Sequence, residues 1–246
     1  VTIRRIAESW YLRRLRTQVG AVPRHVAVIM DGHRRWARER GLDVQEGHAR
    51  GFDHVADLLG WCASAGVEYV TVFWASIDNL RKRSDAEADA LMLVIERVIG
   101  ELAAPSVGWR IESAGRLDLL PDRTAHAIKD AVEATHTIKN RVLTVAVGYG
   151  GREDIVEAVR ALLDDAAADG RSLAELASTI TPADIARNLW TGNTPDPDLV
   201  LRTSGEQRLS GFLLWQSAHA DLRFVDVYWP GFREIDFLRV LRTRRS

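Results

Sequence analysis

The segment His25 to Ala37, HVAVIMDGHRRWA, constrains the fold more than any other part of the chain. Val26, Ala27, Val28, Ile29 and Met30 form an apolar run of strand length. Asp31 ends it, Gly32 follows, and His33-Arg34-Arg35-Trp36-Ala37-Arg38 has helical character. A buried strand that stops at a carboxylate, turns on glycine and opens a helix leaves backbone N–H groups at the strand's end, where anions are favoured. Arginine adds bidentate donors suited to phosphate oxygens. An acid beside a phosphate site calls for a cation between them, and Mg2+ suits that place best. The segment points to an enzyme that holds a metal-bound phosphorylated substrate. The plainer account is a strand–helix junction with a solvated basic face.

Similar strand-length runs recur at Tyr69 to Trp74, Trp109 to Ala114, Val142 to Val147, Leu199 to Leu201 and Leu222 to Val227. Helical stretches lie between them. Phe52, Val55, Leu59 and Cys62 recur at helical spacing before Gly66, a C-terminal cap. Ser84-Asp85-Ala86-Glu87 has the form of a capping box for a helix running to about Leu102. Further helices are expected from Pro121, Arg152, Pro182 and Phe232. This alternation predicts an α/β fold: one domain with a largely parallel central sheet covered by helices. Residues 1–22 are expected to form an amphipathic, arginine-rich helix ahead of a single domain at 23–246. Ligands of such sheets bind beyond the carboxyl ends of strands. Asp31, residues 75–79, the Gly148 to Gly151 loop and Arg202 all fall at such ends.

Composition narrows the function. A net charge of −1 argues against a general nucleic-acid binder. The cations are almost all arginine, with lysine only at Lys82, Lys129 and Lys139, which favours planar forks over point charges. The single cysteine, Cys62, excludes an internal disulfide and a cysteine-built zinc site. No apolar run approaches the ~18 residues of a membrane span, and no signal peptide is visible. Val1 in place of Met leaves room for a trimmed leader. The expected location is the cytoplasm.

Two more clusters could carry chemistry. Ser76-Ile77-Asp78-Asn79-Leu80-Arg81-Lys82-Arg83 follows a buried strand and could hold a second phosphate, or be a solvated loop. Arg202 to Gly211, RTSGEQRLSG, sets two arginines six apart with hydroxyls and glycines between them, the makings of an anion nest. The Gly148 to Gly151 turn does not match the dinucleotide fingerprint, and no Walker A sequence is present. Asp164-Asp165 with Asp169 reads as a solvated helix end.

In this order, HVAVIMDGHRRWA, the Gly47-His48 pair, SIDN at Ser76 to Asn79, VGYGGR at Val147 to Arg152, DLVLRTSGEQRLSGFLLWQSAHADLRF at Asp198 to Phe224 and Trp229-Pro230 resemble the cis-prenyltransferase family. These are the undecaprenyl diphosphate synthase-like enzymes. The likeness runs from about Arg24 to the last helix and looks closest to actinobacterial short-chain members. It implies a homodimer, Mg2+, and two diphosphate sites. One site takes an allylic primer and the other isopentenyl diphosphate. The metal acid falls on Asp31, with Asp221 as a second ligand. The primer pocket falls on Gly32, Arg34, Arg35 and His48, with Trp36 beside them. The isopentenyl diphosphate pocket falls on Arg202, Arg208 and Ser210. Asn79 matches an Asn beside the reaction centre.

The chain departs from the family pattern at several places. His33 replaces an Asn tied to proton removal and is a candidate for that role. Leu80 replaces a Trp, Val44 an Arg, and Asp221 a Glu. The family's loop arginine falls on Arg83 or Arg81, and anchoring on Glu87 favours Arg83. Trp74 stands where long-chain members carry a small residue. That predicts a short product, such as (2Z,6E)-farnesyl diphosphate from geranyl diphosphate. The alternatives are a medium- or long-chain synthase, an irregular head-to-middle coupling enzyme, and a non-catalytic partner subunit. Peripheral contact with a membrane stays open.

Overall fold

The computed structural model describes residues 2–82 and 85–243. The strands are β1 (His25–Ile29), β2 (Tyr69–Ser76), β3 (Arg110–Ala114), β4 (Val142–Tyr149), β5 (Leu199–Arg202) and β6 (Asp221–Phe224). They form one sheet in the order β3-β4-β2-β1-β5-β6, and every neighbouring pair is parallel. The helices are α1 (Thr2–Gln18), α2 (His33–Glu39), α3 (Val44–Ala65), α4 (Ile77–Lys82), α5 (Asp85–Leu102), α6 (Asp122–Thr135), α7 (Gly151–Ala168), α8 (Leu173–Thr179), α9 (Pro182–Asn188) and α10 (Glu234–Arg242). The expected parallel α/β sheet covered by helices is therefore the fold of the chain.

β1 and β4 are buried along their whole lengths, as unbroken apolar runs require when both faces are covered. Val26, Val28, Val70 and Val72 turn one way, toward Phe52 and Val55 of α3 and Leu91 and Ile95 of α5. Ala27, Ile29, Ala146 and Val200 turn the other way, toward Tyr149, Phe212 and Leu213. Cys62 lies wholly in the first core. At the chain's start, Leu15 of α1 packs with Ile235 and Leu238 of α10, while Trp10 is exposed.

Three local features place the site. An Asp43–Glu46 capping box starts α3 and Gly66, at φ 94°, ends it. Gly47 and Gly51, one turn apart on α3, let α2 approach closely. A Cβ on Gly47 would meet the His33 carbonyl oxygen at 2.5 Å. Finally, the β2–β4 register slips between Phe73 and Ala75 and again between Ala75 and Ser76. The first slip leaves Trp74 as the extra residue, where the strand reaches the cleft, and such bulges re-aim side chains.

Two helices were not expected. The Ser76 to Lys82 stretch contains α4 rather than a loop, with the Ser76 hydroxyl accepting the Asn79 N–H at 3.0 Å. α8 starts at a Ser172–Glu175 capping box. The proposed Ser84 capping residue lies outside the described residues.

Candidate active site

A cleft of about 850 Å³ opens where β1, β2 and β5 end. Asp31, Ser76 and Arg202 stand at those ends and line it, as expected for an open parallel sheet. Its size suits a small organic ligand.

Asp31 is fixed through its backbone and its carboxylate. Its N–H donates to the Thr203 hydroxyl at 2.9 Å, and that hydroxyl donates back to the Asp31 carbonyl at 2.8 Å. The Trp229 N–H donates to the same carbonyl at 2.9 Å. On the side chain, Oδ2 accepts from Arg202 Nη2 at 2.8 Å and Oδ1 from Arg35 Nη2 at 3.4 Å. Burial opposes ionisation of this carboxyl. Hydrogen bonds from Arg202 and Ser204, with the charges of Arg202 and Arg35, outweigh it and hold Asp31 below the usual carboxylate range. Gly32 takes φ 104° and faces Tyr228, whose ring a Cβ would meet at 2.6 Å. The Arg35 guanidinium lies 5.4 Å from the centre of the same ring.

Arg202 is 5% exposed and holds the loop that follows it. Its Nη1 donates to the Ser210 hydroxyl at 2.8 Å and to the Arg208 carbonyl. Among the described residues, the non-glycine positions with positive φ are Ser204, Ser210 and Leu213, all in or beside this loop. Strain of this kind persists where surrounding contacts enforce it. One such contact is the close approach of Gly151, whose N–H donates to the Gly211 carbonyl at 2.8 Å. A Cβ on Gly151 would meet that oxygen at 2.6 Å. Beneath it, buried Asp154 accepts from Tyr149, Gln216 and the Trp190 N–H. Burial raises its pKa despite these bonds. The VGYGGR segment thus supports the arginine loop and contributes no ligand-facing side chain to the cleft.

The opposite wall is aromatic. The His33 ring occupies the space above Gly51, where a Cβ would lie 2.1 Å from a ring carbon. It stacks on His48 with ring centres 5.4 Å apart and planes 27° apart. Phe52 lies next to it and 5.2 Å from Trp74. Trp74 is 6% exposed, packs in the α3–α5 core and lines the cleft with Phe52 and Leu91. The cleft therefore joins a charged group around Asp31 and Arg202 to an apolar group around Phe52, Trp74 and Leu91.

The structure brings together Asp31, Gly32, His33, Arg34, Arg35, His48, Trp74, Asn79, Arg202, Arg208 and Ser210, which all line this cleft. Arg34 pairs with Glu87 across to α5 at 3.2 Å. Two of the expected residues stand apart from this cleft within the chain. Trp36 does not line the cleft: Arg40 covers its ring at 4.5 Å, and it faces Gly231. It points away because the cleft-facing residues of the first turn occupy the other side of α2. Asp221 is not near Asp31 within the chain. β6 runs parallel to β5 with Asp221 opposite Leu199, so it stands at the far end of the sheet, paired with Arg223 at 2.8 Å. Three residues of strand separate those ends by roughly 10 Å. Arg83 lies outside the described residues.

Thr203, Ser204 and Arg38 were not singled out as site residues from the sequence. Arg38 also lines the cleft, one turn beyond Arg34, so its helical spacing was a usable signal. Thr203 and Ser204 were visible only as small hydroxyls beside Arg202.

Among the described residues, no three His, Cys, Asp or Glu side chains gather to form a metal cage. Asp31 and Asp78 are the carboxylates among the described residues that line the cleft. That fits a hard cation of the Mg2+ kind, which takes one or two carboxylates and completes its shell with substrate phosphates and water.

Over residues 29–245 the chain matches the model of the undecaprenyl diphosphate synthase family. It is 52% identical over 240 residues to an isoprenyl transferase of Streptomyces fradiae, covering 95% of this chain and 92% of that protein. It is 47% identical over 237 residues to the (2Z,6E)-farnesyl diphosphate synthase of Mycobacterium tuberculosis H37Rv, covering 94% and 90%. The crystal structure of lavandulyl diphosphate synthase from Lavandula x intermedia, in complex with dimethylallyl diphosphate, superposes with a TM-score of 0.83 at 34% identity. That match covers 91% of this chain and 96% of the other.

Proposed function

The chain belongs to the undecaprenyl diphosphate synthase family, and from that premise we propose that it is a Mg2+-dependent short-chain cis-prenyltransferase. It joins isopentenyl diphosphate to geranyl diphosphate and releases (2Z,6E)-farnesyl diphosphate. The observation that carries this reading is one cleft that joins arginines and Asp31 to an apolar group around Trp74.

Arg34, Arg35 and the first turn of α2 receive the diphosphate of the allylic primer. Arg202, Arg208 and Ser210 receive that of isopentenyl diphosphate. As the allylic C–O bond breaks, negative charge collects on the leaving diphosphate, and fixed guanidinium groups stabilise it most at that point. The isopentenyl double bond supplies the electron pair for the new C–C bond, and a proton leaves to form the new double bond. His33 and Asn79 also line the cleft; the His33 imidazole is the candidate to take that proton, with Asn79 beside the reaction centre. Asp31 would hold Mg2+, which supplies charge neutralisation to the diphosphates when bound.

The short product rests on Trp74 and on the name of the Mycobacterium relative. No helix among the described residues is long and apolar enough to cross a membrane. Residence in the cytoplasm and assembly as a homodimer belong to the same proposal. The test is incubation of the pure protein with Mg2+, isopentenyl diphosphate and each allylic primer, followed by analysis of the dephosphorylated products. A fifteen-carbon Z,E alcohol from geranyl diphosphate supports the reading, and products of many isoprene units contradict it.

A further inference from the structure

Ser204 holds a conformation that suits glycine better than serine. Its φ is 80°, in the left-handed region, and it is 5% exposed. Its N–H donates to the Val227 carbonyl at 2.8 Å, which fixes the backbone there. A side chain at such a φ is a cost that glycine avoids. The following residue, Gly205, has φ 78° and no side chain. What Ser204 adds is a hydroxyl, which can donate once and accept twice. It accepts from Arg35 Nη2 at 2.8 Å.

The direct contact of Arg35 with Asp31 is long, 3.4 Å from Nη2 to Oδ1. The other holds on Arg35 are the Tyr228 ring at 5.4 Å and Glu206 at 3.7 Å. We propose that Ser204 is a positioning residue whose hydroxyl sets Arg35 and Asp31 relative to each other for binding and ionising the allylic diphosphate. This rests on the assignment of Asp31 and Arg35 to the allylic diphosphate.

Two variants separate hydroxyl from backbone. Ser204→Ala removes the hydroxyl and keeps the strained φ, whereas Ser204→Gly removes both. Geranyl diphosphate is titrated calorimetrically into each protein with Mg2+ and without isopentenyl diphosphate, alongside steady-state rates and melting temperatures. Both variants should bind geranyl diphosphate about tenfold more weakly, and lose kcat/KM for it by the same factor, as expected for one charge-assisted hydrogen bond. The KM for isopentenyl diphosphate should not move, and Ser204→Gly should melt above Ser204→Ala. A glycine variant with native binding and turnover overturns the proposal, because serine would then serve only the turn. Equal losses for both diphosphates overturn it too. Native protein that binds no geranyl diphosphate overturns the parent assignment, an outcome visible before any variant is made.

Discussion

Arg202, at the end of β5, donates a 2.8 Å hydrogen bond from Nη2 to Oδ2 of Asp31, just past the end of β1. The same guanidinium, through Nη1, holds Ser210. One buried cation thus ties the carboxylate of the proposed primer site to the loop of the proposed isopentenyl diphosphate site.

Removing that cation should be visible in the titration of Asp31. The folded protein keeps this carboxyl below its ordinary range. Its contribution to stability is therefore complete above the unfolded value, about 3.9, and is lost as pH falls through the lower folded value. In Arg202→Gln the carboxyl should titrate nearer the ordinary value, as read by carbon NMR, and the acid unfolding midpoint should move to higher pH. An unchanged titration would mean that Arg202 does not govern Asp31.

Gly51 should take a side chain only if the His33 ring shifts. A Cβ would overlap the His33 ring at 2.1 Å and approach Trp229 at 3.1 Å. Gly51→Ala should cost about 1–3 kcal/mol, as overpacking does, and should move His33 off its stack with His48. Urea unfolding measures the first effect. Turnover by the still-folded fraction measures the second, and native turnover would remove His33 from the reaction.

Trp74→Ala should lengthen the products while destabilising the protein by about 3–5 kcal/mol, the usual loss for a large buried aromatic. Chromatography of the dephosphorylated products checks the length, and thermal melting checks the stability. An unchanged product spectrum would show that the indole does not stop the chain.

Arg208 is exposed and paired with Glu206, so its loss should not disturb the fold. Arg208→Lys keeps the charge but loses the fork. The KM for isopentenyl diphosphate should rise by about tenfold, the lower end for a charge-assisted bond, with the primer KM unchanged. A rise confined to the primer would exchange the two pockets.

The sheet was legible because its strands are continuous apolar runs, and Asp31 stood out as the acid ending the first of them. Arg202 and Ser210 were legible as a basic, hydroxyl-bearing loop after a strand. α4 was not, because its six residues are mostly polar and charged and lack the length for a periodic signal. Trp36 came with the primer pocket that the resemblance implies, and one step along a helix from Arg35 turns a side chain by about 100°. Asp221 was placed beside Asp31 by likeness of local sequence, which carries no information about the end of the sheet at which a strand begins. The bulge at Trp74 depends on the register of β2 against β4, a long-range pairing that no local pattern encodes.

The central claim is that Asp31 and the arginines around it make this cleft a prenyl-transfer site. The most direct measurement is the rate of product formation from geranyl and isopentenyl diphosphates with Mg2+, for the native protein and for Asp31→Ala. Native protein should form a fifteen-carbon Z,E product. Asp31→Ala should remain folded by circular dichroism and turn over at least about 100-fold more slowly, the scale of a lost electrostatic group at the reacting charge. Near-native turnover by Asp31→Ala would contradict the account.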